Sequence, residues 1–575
     1  MVCSHAPCGL AMTLLKKSEI RKPLVVRGTT SFSGSLERPQ QREKRPPCSS
    51  HCPNGNNVRA AMGVVAQREK LHLEEDGAWD EAWRLITDTN PFPAVLGRVC
   101  SHPCEQYCNR GEKDEAVAIS AFERFVGDWG IARRLELDRI TCAPPRFPKK
   151  VAVVGAGPCG LSCAYQLARR GHAVTIFESY PKAGGMLRYG VPPYRLGRAV
   201  LDAEIGRLCR LGVEIRTNVQ IGTMIPFEWL RSTFDAVFVA IGAHVGRTIG
   251  IAGGAGSDVF SGVEFLRSAN SAAKFFVGPK VVVVGDGQTA IDVARVARRV
   301  ERALALPAMT VTLLRSHTRE EEDLDGLGEE GITVEYSCMP IDLVRNEAGR
   351  IAGMNLQPAE LGPPDASGLR LPRAVGGSPR HLPADTVISA YGQTPDWGSL
   401  GLIDGWSPEE VDEWGRTPLS GVWSGGDNLT LGNAARSIYE GRRAALSIDA
   451  HLAGGQPVAP AVHQPISTGR VKLALYDPLP RVASHVLSSE QSLRLLWVEV
   501  DQGLTKTQAA AEAARCLSCG TCFGCERCWM YCTPGCFTKV AAPTLGGNYF
   551  DLSLAICDGC RKCVDMCPSG FLEMM

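Results

Sequence analysis

The chain has 575 residues, 44% of them hydrophobic and 21% charged, and a formal net charge of +1. This length predicts about three or four domains, and the balanced charge argues against a nucleic-acid-binding surface. No apolar run approaches the roughly 18–20 residues of a membrane span. The 23 cysteines are clustered at Cys-x-x-Cys spacings, and no signal peptide is recognisable, so we expect a cytoplasmic protein without disulfides.

The first 145 residues divide into a basic leader and a cysteine-bearing helical region. Residues 1–45 are rich in Lys and Arg, and no apolar region with a cleavage site follows these charges. We therefore expect a partly ordered tail lying over the protein rather than a targeting peptide. Residues 46–145 have a helical pattern, since Trp79 and Trp83 stand four positions apart on one helix face. This region carries Cys48, Cys52, Cys100, Cys104 and Cys108.

A dinucleotide-binding fingerprint opens the next region. The G-x-G-x-x-G glycines directly follow the apolar strand 151–154, and they are Gly155, Gly157 and Gly160. A helix is predicted over 161–170, and the next strand, Ala173–Phe177, ends at Glu178. The glycines let the backbone approach a pyrophosphate at the helix N-terminus, and the acid receives the ribose hydroxyls. Strand, helix and acid together favour a nucleotide site over a chance Gly-rich turn.

Two further segments indicate that this first nucleotide is FAD rather than NAD. One lies over residues 184–192 and contains Gly185, Met186, Leu187 and Arg188, and the other contains Gly426, Asp427, Asn433 and Ala434. Both resemble segments of two-dinucleotide flavoproteins. The resemblance implies that Asp427 contacts the flavin ribityl chain and that the following helix points its N-terminus at the isoalloxazine.

A second fingerprint lies between the two FAD segments. It is G-x-G-x-x-A after a strand and before a helix predicted over 290–302, and its residues include Gly285, Gly287, Gln288, Thr289 and Ala290. An inserted nucleotide domain is the layout of flavoprotein reductases that accept hydride from a nicotinamide. Segments 236–242 and 385–393 are the expected crossings between the domains. The strand 309–314 ends at Arg315, which either accommodates the 2′-phosphate of NADP or is a solvated strand-end residue.

Two cysteine runs near the C-terminus have spacings typical of [4Fe–4S] ligands. The run ending at Cys567-Pro568 is C-x2-C-x2-C-x3-C-P. In two-cluster ferredoxins, the fourth cysteine of each run serves the other cube. We therefore expect one cube on Cys522, Cys525, Cys528 and Cys567, and the other on Cys557, Cys560, Cys563 and Cys532.

Two alternatives to this ligand assignment remain. A register slipped to Cys519, Cys522 and Cys525 fits the three-residue spacing, but only the first register has a cysteine, Cys532, at its fourth position. Zinc also binds paired Cys-x-x-Cys, although zinc ribbons rarely show four-cysteine runs ending in -x3-C-P. The spacing assigns no role to Cys536.

Residues 46–455 resemble the small subunit of glutamate synthase and its relatives. The match includes Asn90-Pro-Phe-Pro, Gly97-Arg-Val-Cys100, the FAD segments, residues 285–292 and Gly425-Gly-Asp427. The tail from Glu512 resembles a subgroup that includes the NAD(P)H oxidoreductase partner of dissimilatory sulfite reductase and the reductase subunit of 2-oxoglutarate:ferredoxin oxidoreductase. The resemblance implies N-terminal [4Fe–4S] clusters near the flavin. One would use Cys52, Cys100, Cys104 and Glu123, and the other would use Cys48 and Cys108.

The chain departs from the family at the second of these clusters. The early Cys-x-x-Cys expected just before Cys48 is absent, because positions 43–47 read Glu-Lys-Arg-Pro-Pro. Three outcomes are open: the cluster is missing, it recruits Cys3 and Cys8, or it recruits the surplus pair Cys516 and Cys519. We expect one or two N-terminal clusters in addition to the two C-terminal ones.

The predicted fold is α/β, with two Rossmann-like domains, the NAD(P) domain inserted in the FAD domain. A helical iron–sulfur domain precedes them and a ferredoxin-like domain follows. The predicted boundaries are a leader at 1–45, the helical domain at 46–145, the FAD domain at 146–245 and 391–455, the NAD(P) domain at 246–390, a connector at 456–515 and the ferredoxin module at 516–575.

These modules predict an NAD(P)H:acceptor oxidoreductase that depends on FAD and iron–sulfur clusters. Nicotinamides move two electrons together and cubes move one, so a flavin must stand between them. No substrate domain is recognisable, which favours an electron-transfer subunit of a hetero-oligomer over a self-contained enzyme. The expected partner is a ferredoxin or a larger redox subunit such as a 2-oxoacid:ferredoxin oxidoreductase. Dissimilatory sulfite reductase and glutamate synthase are the alternatives.

Overall fold

A computed structural model describes residues 37–140, 148–271, 277–303, 308–316, 326–364, 370–401, 410–459, 465–546 and 549–575. The chain divides into two compact units. The large unit comprises Pro47–His463 and Pro478–Cys516, and the small unit comprises Met1–Pro46, Gln464–Asp477 and Leu517–Met575. Most of the predicted leader, including Cys3 and Cys8, lies outside the described residues.

The helices and strands are numbered in chain order. The helices are α1 (Pro47–His51), α2 (Val58–Ala66), α3 (Glu75–Thr87), α4 (Pro93–Val99), α5 (Pro103–Gln106), α6 (Ile119–Ala132), α7 (Pro158–Ala168), α8 (Met186–Tyr189), α9 (Arg198–Leu211), α10 (Phe227–Thr233), α11 (Gly262–Asn270), α12 (Gln288–Ala303), α13 (Ala434–Leu452), α14 (Ser489–Arg494), α15 (Lys506–Arg515), α16 (Arg527–Tyr531) and α17 (Lys562–Asp565). The strands are β1 (Pro39–Gln41), β2 (Lys150–Val154), β3 (Ala173–Phe177), β4 (Glu214–Arg216), β5 (Ala236–Val239), β6 (Val245–Gly246), β7 (Val259–Ser261), β8 (Lys280–Val284), β9 (Thr310–Leu314), β10 (Ile332–Glu335), β11 (Cys338–Arg345), β12 (Ile351–Pro364), β13 (Arg370–Ala374), β14 (Arg380–Leu382), β15 (Thr386–Ser389), β16 (Gln393–Thr394), β17 (Val422–Ser424), β18 (Phe537–Lys539), β19 (Phe550–Leu552) and β20 (Leu572–Met574).

The large unit begins with the helices α1 to α6, as the sequence pattern predicted. Trp79 and Trp83 share the buried face of α3, and each is 1% exposed. Helices α4 and α6 pack at very close range, because a Cβ on Gly127 would lie 2.0 Å from the backbone nitrogen of Ala94. Glycine at this crossing removes the side chain that would hold the two helices apart.

Two parallel five-stranded sheets follow in the large unit. The first has the order β17-β5-β2-β3-β4, and the second has the order β10-β9-β8-β15-β7. All strands of the second sheet lie in sequence between β5 and β17, so one nucleotide-binding fold is inserted in the other, as predicted. The short strands β6 and β16 pair antiparallel beside the two chain crossings. Strands β2 and β8 are Val-rich and buried, as parallel strands covered on both faces must be.

The fingerprint helices begin earlier than the sequence patterns predicted. Helix α7 starts at Pro158 rather than Leu161, because proline suits the first turn, where its missing N–H is not needed. Helix α12 starts at Gln288 rather than Ala290. The sequence analysis also missed an antiparallel sheet in the inserted domain, with the order β11-β12-β13 and with β14 paired to β12.

The small unit is built around two antiparallel strand pairs, β1 with β20 and β18 with β19. The pairing of β1 means that residues 39–41, which fall in the predicted leader, form part of the C-terminal unit. Helices α16 and α17 are single turns that carry cysteines, and they contact each other. Across the residues that the structure describes, none of the helices combines the length and the hydropathy needed to cross a bilayer.

Candidate functional site

A cleft at the carboxyl edge of the first sheet is lined by the predicted FAD residues. Its walls include Gly155, Gly157, Glu178, Gly185, Met186, Gly426 and Asp427. Gly155 has a φ of +103°, and a Cβ on Gly160 would lie 2.1 Å from the carbonyl oxygen of Gly155. The turn from β2 into α7 is therefore accessible only to glycine, and it leaves the start of α7 open to a phosphate group.

Glu178 ends β3 and lines this cleft. Its Oε2 accepts the N–H of Ala156 at 2.7 Å and its Oε1 accepts the N–H of Tyr180 at 2.8 Å. Burial is the main cause that raises the pKa of this carboxyl group. The carboxylate is thus held by backbone groups at the position where the fingerprint places a ribose.

Five of the predicted flavin residues are not in the cleft wall, namely Gly160, Leu187, Arg188, Asn433 and Ala434. Arg188 is buried, donates from Nε to the carbonyl of Ala183 at 2.5 Å and forms an ion pair with Asp202. Leu187 is 3% exposed and belongs to the same helix, α8. Both residues therefore shape the turn behind Met186 from outside the wall.

The other wall of the cleft comes from the start of α13. Burial raises the pKa of Asp427 to about 6, and its Oδ1 accepts the Gly432 N–H at 3.2 Å and the Ser437 hydroxyl at 3.3 Å. Asn433 is the N-cap of α13 and accepts the N–H of Arg436 at 2.9 Å, and Ala434 is the first helical residue. Asp427, before the start of α13, and Ser437, in its first turn, line the cleft, whereas Asn433 and Ala434 do not.

A second pocket connects the inserted domain to this wall. Its lining comprises Gly262, Val263, Thr289, Ser389, Ala390, Gly392, Gln393, Asp427, Leu431 and Gly432. Thr289 belongs to the second fingerprint, whereas Asp427 and Gly432 belong to the FAD domain. The pocket therefore has walls from both the inserted domain and the FAD domain.

Arg315 at the end of β9 lies against the second fingerprint turn. It is 6% exposed, and its Nη2 donates to the carbonyl of Asp286 at 2.9 Å. The alternative of a solvated Arg315 is therefore wrong. The carboxylate of Asp286 accepts the N–H and the hydroxyl of Ser316 at 2.8 and 2.6 Å. Gly285, Gly287, Gln288 and Ala290 form the turn and the start of α12 beside these contacts.

Three pockets in the chain are lined by the predicted cluster ligands. In the large unit one pocket is lined by Cys52, Cys100, Cys104 and Glu123, together with Ala435 from α13. In the small unit one is lined by Cys522, Cys525, Cys528 and Cys567, and another by Cys532, Cys557, Cys560 and Cys563. The first C-terminal register thus brings each expected set of four together.

Glu123 lines the first of these pockets and is held there by two asparagines. Both Asn56 and Asn90 donate from Nδ2 to its Oε1, at 2.7 and 2.8 Å. Burial raises the pKa of Glu123 to about 7. A buried carboxylate is stabilised by a bound cation, and both amides donate to the other oxygen, Oε1, rather than to Oε2.

The cysteine pockets also fit iron–sulfur clusters in their electrostatics. Burial raises the pKa of Cys528, and the thiols of Cys522, Cys525 and Cys567 raise it further. Neighbouring thiols oppose each other's ionisation because two thiolates repel. A metal that binds the deprotonated thiols offsets this repulsion. Within the described ranges, His, Cys, Asp and Glu side chains form no group of three or more arranged for a single metal ion.

The sequence analysis missed one cysteine at the third pocket. Cys536 is 2% exposed and lines the same pocket as Cys532, and its N–H donates to the Cys532 sulfur at 3.2 Å. This pocket therefore contains five thiols for four predicted ligand positions. Cys536 lies outside the C-x2-C-x2-C-x3-C run, so the sequence pattern does not predict that it lines this pocket.

Comparison with known proteins identifies the family. The pattern described as pyridine nucleotide-disulphide oxidoreductase matches residues 149–445, and dihydropyrimidine dehydrogenase domain II, 4Fe-4S cluster, matches residues 40–135. The chain belongs to the pyridine nucleotide-disulphide oxidoreductase family. It is an NAD(P)H-dependent iron–sulfur flavoprotein oxidoreductase that transfers electrons.

Three relatives extend over most of the chain. NADP(+)-dependent formate dehydrogenase subunit beta of Moorella thermoacetica is 36% identical over 519 residues, which are 82% of this chain and 70% of that one. NADPH-Fe(3+) oxidoreductase subunit beta of Geobacter sulfurreducens is 34% identical over 82% of this chain and 75% of its own. Glutamate synthase [NADPH] small chain of Escherichia coli is 30% identical over 65% of this chain and 84% of its own. The predicted family resemblance is confirmed.

Proposed function

We propose that the chain is the electron-transfer subunit of a hetero-oligomeric redox enzyme, exchanging electrons between NADPH and a partner protein. When bound, NADPH supplies a hydride, FAD divides the electron pair, and [4Fe–4S] clusters carry single electrons. Relatives named subunit beta or small chain support an assembly with another subunit. The predicted domain boundaries belong to this proposal, except that residues 39–41 of the predicted leader pair with β20 in the small unit.

The single observation that carries the proposal is the position of the α13 N-terminus. Asp427 lines both the FAD cleft and the pocket shared with the inserted domain. Eight residues further on, Ala435 lines the pocket of Cys52, Cys100 and Cys104. The segment from Asp427 to Ala435, which leads into α13, thus borders the pockets that we propose for nicotinamide, flavin and cluster, and such closeness favours electron transfer.

Arg442, two turns along α13, supports the same arrangement. Its Nη2 donates to the carbonyl of Asn54 at 2.7 Å, which ties α13 to the turn after Cys52. The flavin and cluster pockets are therefore fixed relative to each other by direct hydrogen bonding. The protein's contribution is this positioning, and we assign no general acid–base residue.

In the small unit, we assign the exit of electrons to the pocket of Cys532, Cys557, Cys560 and Cys563. Cys560 is the exposed cysteine of this set. Large apolar side chains flank the same cysteines in sequence and are 45–55% exposed, namely Tyr531, Leu554 and Ile556. An exposed cysteine of this set, with exposed apolar side chains close to the set in sequence, suits a partner that docks to receive an electron.

The nicotinamide in this proposal is NADPH rather than NADH. Arg315 replaces the acid that NAD-binding folds place at this strand end, and a guanidinium suits a 2′-phosphate. The relatives whose printed names specify a nicotinamide name NADP or NADPH. The acceptor is a ferredoxin or a 2-oxoacid:ferredoxin oxidoreductase, with dissimilatory sulfite reductase as the alternative.

A second candidate is the small subunit of a glutamate synthase, which the Escherichia coli relative favours. The two candidates differ in their dependence on the C-terminal cysteines. An acceptor reached through the small unit requires its clusters, whereas an acceptor served directly from the large unit does not.

The test is NADPH- and NADH-dependent reduction of ferredoxin by the anaerobically purified full chain. We expect Arg315→Ala to raise the KM for NADPH about tenfold or more and to leave the KM for NADH unchanged, since it removes a charge-assisted contact. Arg302→Ala, an exposed arginine of α12, is the matched control. Equal loss for both nicotinamides would contradict the NADPH assignment. Ferredoxin reduction that survives Cys525→Ser would favour the glutamate synthase candidate.

A further inference from the structure

The end of α15 is fixed in the large unit by two buried charged residues. Glu512 is 0% exposed, and it accepts the N–H of Ala118 at 2.8 Å and that of Val482 at 2.6 Å. Arg515 is 1% exposed and donates to Glu512 at 3.0 Å. Buried charges are tolerated only when they are paired and hydrogen-bonded, so the last turn of α15 has one defined position.

Arg515 joins this turn to the loop that follows Cys108. Its Nη2 donates to the carbonyl of Glu115 at 2.7 Å, and its own carbonyl accepts Nη1 of Arg110 at 2.6 Å. Cys108 is the N-cap of the short 3-10 helix that carries Arg110. Because Cys516 directly follows Arg515, these contacts hold Cys516 and Cys108 at the same loop.

Cys48 meets the same loop from α1. Helix α1 packs against α5, and the rings of His51 and Tyr107 stack with centroids 3.6 Å apart. Tyr107 directly precedes Cys108, so this stack brings α1 to Cys108. Burial raises the pKa of the Cys48 thiol to about 12, and the thiols of Cys516 and Cys108 raise it further. The His51–Tyr107 stack and the contacts of Arg515 thus bring Cys48 and Cys516 to the same loop as Cys108.

This group of thiols is separate from the cluster pocket already described. Cys52, Cys100, Cys104 and Glu123 line that pocket, and none of the three thiols around α1 is in its wall. Cys48 is the second residue of α1, and Cys52 comes directly after the last one. The start of α1 therefore belongs with Cys108 and Cys516, and its end belongs with the pocket of Cys100 and Cys104. The buried Arg59 of α2 lowers the pKa of Cys48. Its positive charge therefore favours the thiolate form of Cys48, which is the form that binds metal.

We propose that Cys48, Cys108 and Cys516 are ligands of a second [4Fe–4S] cluster in the large unit. The proposal rests on the electron-transfer function above and adds a cluster to it. Thiolates are the donors that iron–sulfur clusters take, and these three come from separate chain segments held by fixed contacts. Of the sources considered for the missing N-terminal pair, Cys516 is the one that the large unit brings to Cys48. Cys3 and Cys8 lie outside the described residues, and ligation by Cys519 stays a prediction.

The test is an iron and acid-labile sulfide count per FAD in the anaerobically purified full chain, with EPR after dithionite reduction. Cys516→Ser is expected to lose about four irons and one reduced-cluster signal, because a [4Fe–4S] cluster holds four irons. Cys209→Ser is the matched control, since Cys209 is exposed on α9 and is expected to keep all iron. FAD content and melting temperature report whether each variant folds.

A double variant makes the proposal specific. Cys108→Ser and the pair Cys108→Ser/Cys516→Ser should each lose the same cluster, so the losses should not add. Unchanged iron in Cys516→Ser, additive loss in the pair, or loss of one zinc ion instead of iron would overturn the proposal. Reduction of FAD by NADPH, followed at the flavin absorbance in the same samples, tests the electron-transfer function separately.

Discussion

Replacing Gly441 by alanine tests the contact that holds the two helices at the flavin site together. Helices α7 and α13 pack closely, and a Cβ on Gly441 would lie 2.1 Å from the carbonyl oxygen of Cys159. Real Cβ atoms stay beyond 3.0 Å, so the helices would have to separate by roughly 1 Å. Because α7 begins at the FAD fingerprint and α13 begins at Ala434, close to the cleft residue Asp427, this separation is expected to change the width of the cleft.

The expected magnitude follows from two opposing effects. Glycine to alanine in a helix interior gains about 1 kcal/mol, whereas forcing a methyl group into a packed interface costs about 1–3 kcal/mol. A contact as short as 2.1 Å falls at the upper end of that cost. We therefore expect Gly441→Ala to lower the unfolding free energy by about 1–2 kcal/mol and to weaken FAD binding by roughly tenfold.

The assay is urea unfolding, combined with FAD titration by flavin fluorescence. Gly206→Ala is the matched control, because Gly206 is also inside a helix and its nearest contact would be the flexible end of Arg210 at 3.3 Å. The control is expected to gain up to about 1 kcal/mol and to keep its FAD affinity. If Gly441→Ala is as stable as the control and binds FAD equally well, the close packing of α7 on α13 is refuted.

Three other predictions concern individual side chains. Glu123→Gln keeps an acceptor for both asparagines but replaces Oε2 by an amide, so it should lose about four irons while FAD stays bound; a full iron count would contradict ligation by Glu123. Cys532→Ser should lose iron and Cys536→Ser should keep it, and the reverse result would exchange their roles. Burial and then Arg267 lower the pKa of His244 to about 4 from 6.5, so the unfolded chain binds more protons and stability falls below pH 6.5. The unfolding free energy of the wild type should fall by up to about 3 kcal/mol between pH 7 and pH 4.5 because of His244, and His244→Asn should lack this decrease. Equal pH dependence of the unfolding free energy in the two proteins would refute this.

Features that depend on local spacing were predictable from the sequence. The turns at Gly155 and Gly285 each follow a Val-rich strand. Each strand belongs to its own parallel sheet, and each turn lies at the carboxyl edge of that sheet. The C-terminal cysteine spacing likewise determines which thiols can reach one cluster, and the pockets around Cys528 and Cys563 have the expected composition.

Features that depend on contacts distant in sequence were not predictable in this way. No spacing rule connects Cys516 to Cys108, because Arg515 makes that link through hydrogen bonds with Glu115 and Arg110, which are 400 and 405 positions away. Strand β1 pairs with β20 at the far end of the chain, which its basic surroundings did not indicate. Nothing in the sequence distinguishes Ala435 from other helical alanines, yet in the fold it lines the pocket of Cys52, Cys100 and Cys104.

The central claim is that electrons from NADPH pass through the flavin to the clusters within this one chain. Rapid mixing of the anaerobic full chain with NADPH, followed by freezing and EPR, tests it most directly. We predict bleaching of the flavin absorbance and then the appearance of reduced-cluster signals without any partner protein. A flavin that is reduced while every cluster stays oxidised, under conditions in which dithionite reduces those clusters, would contradict the account.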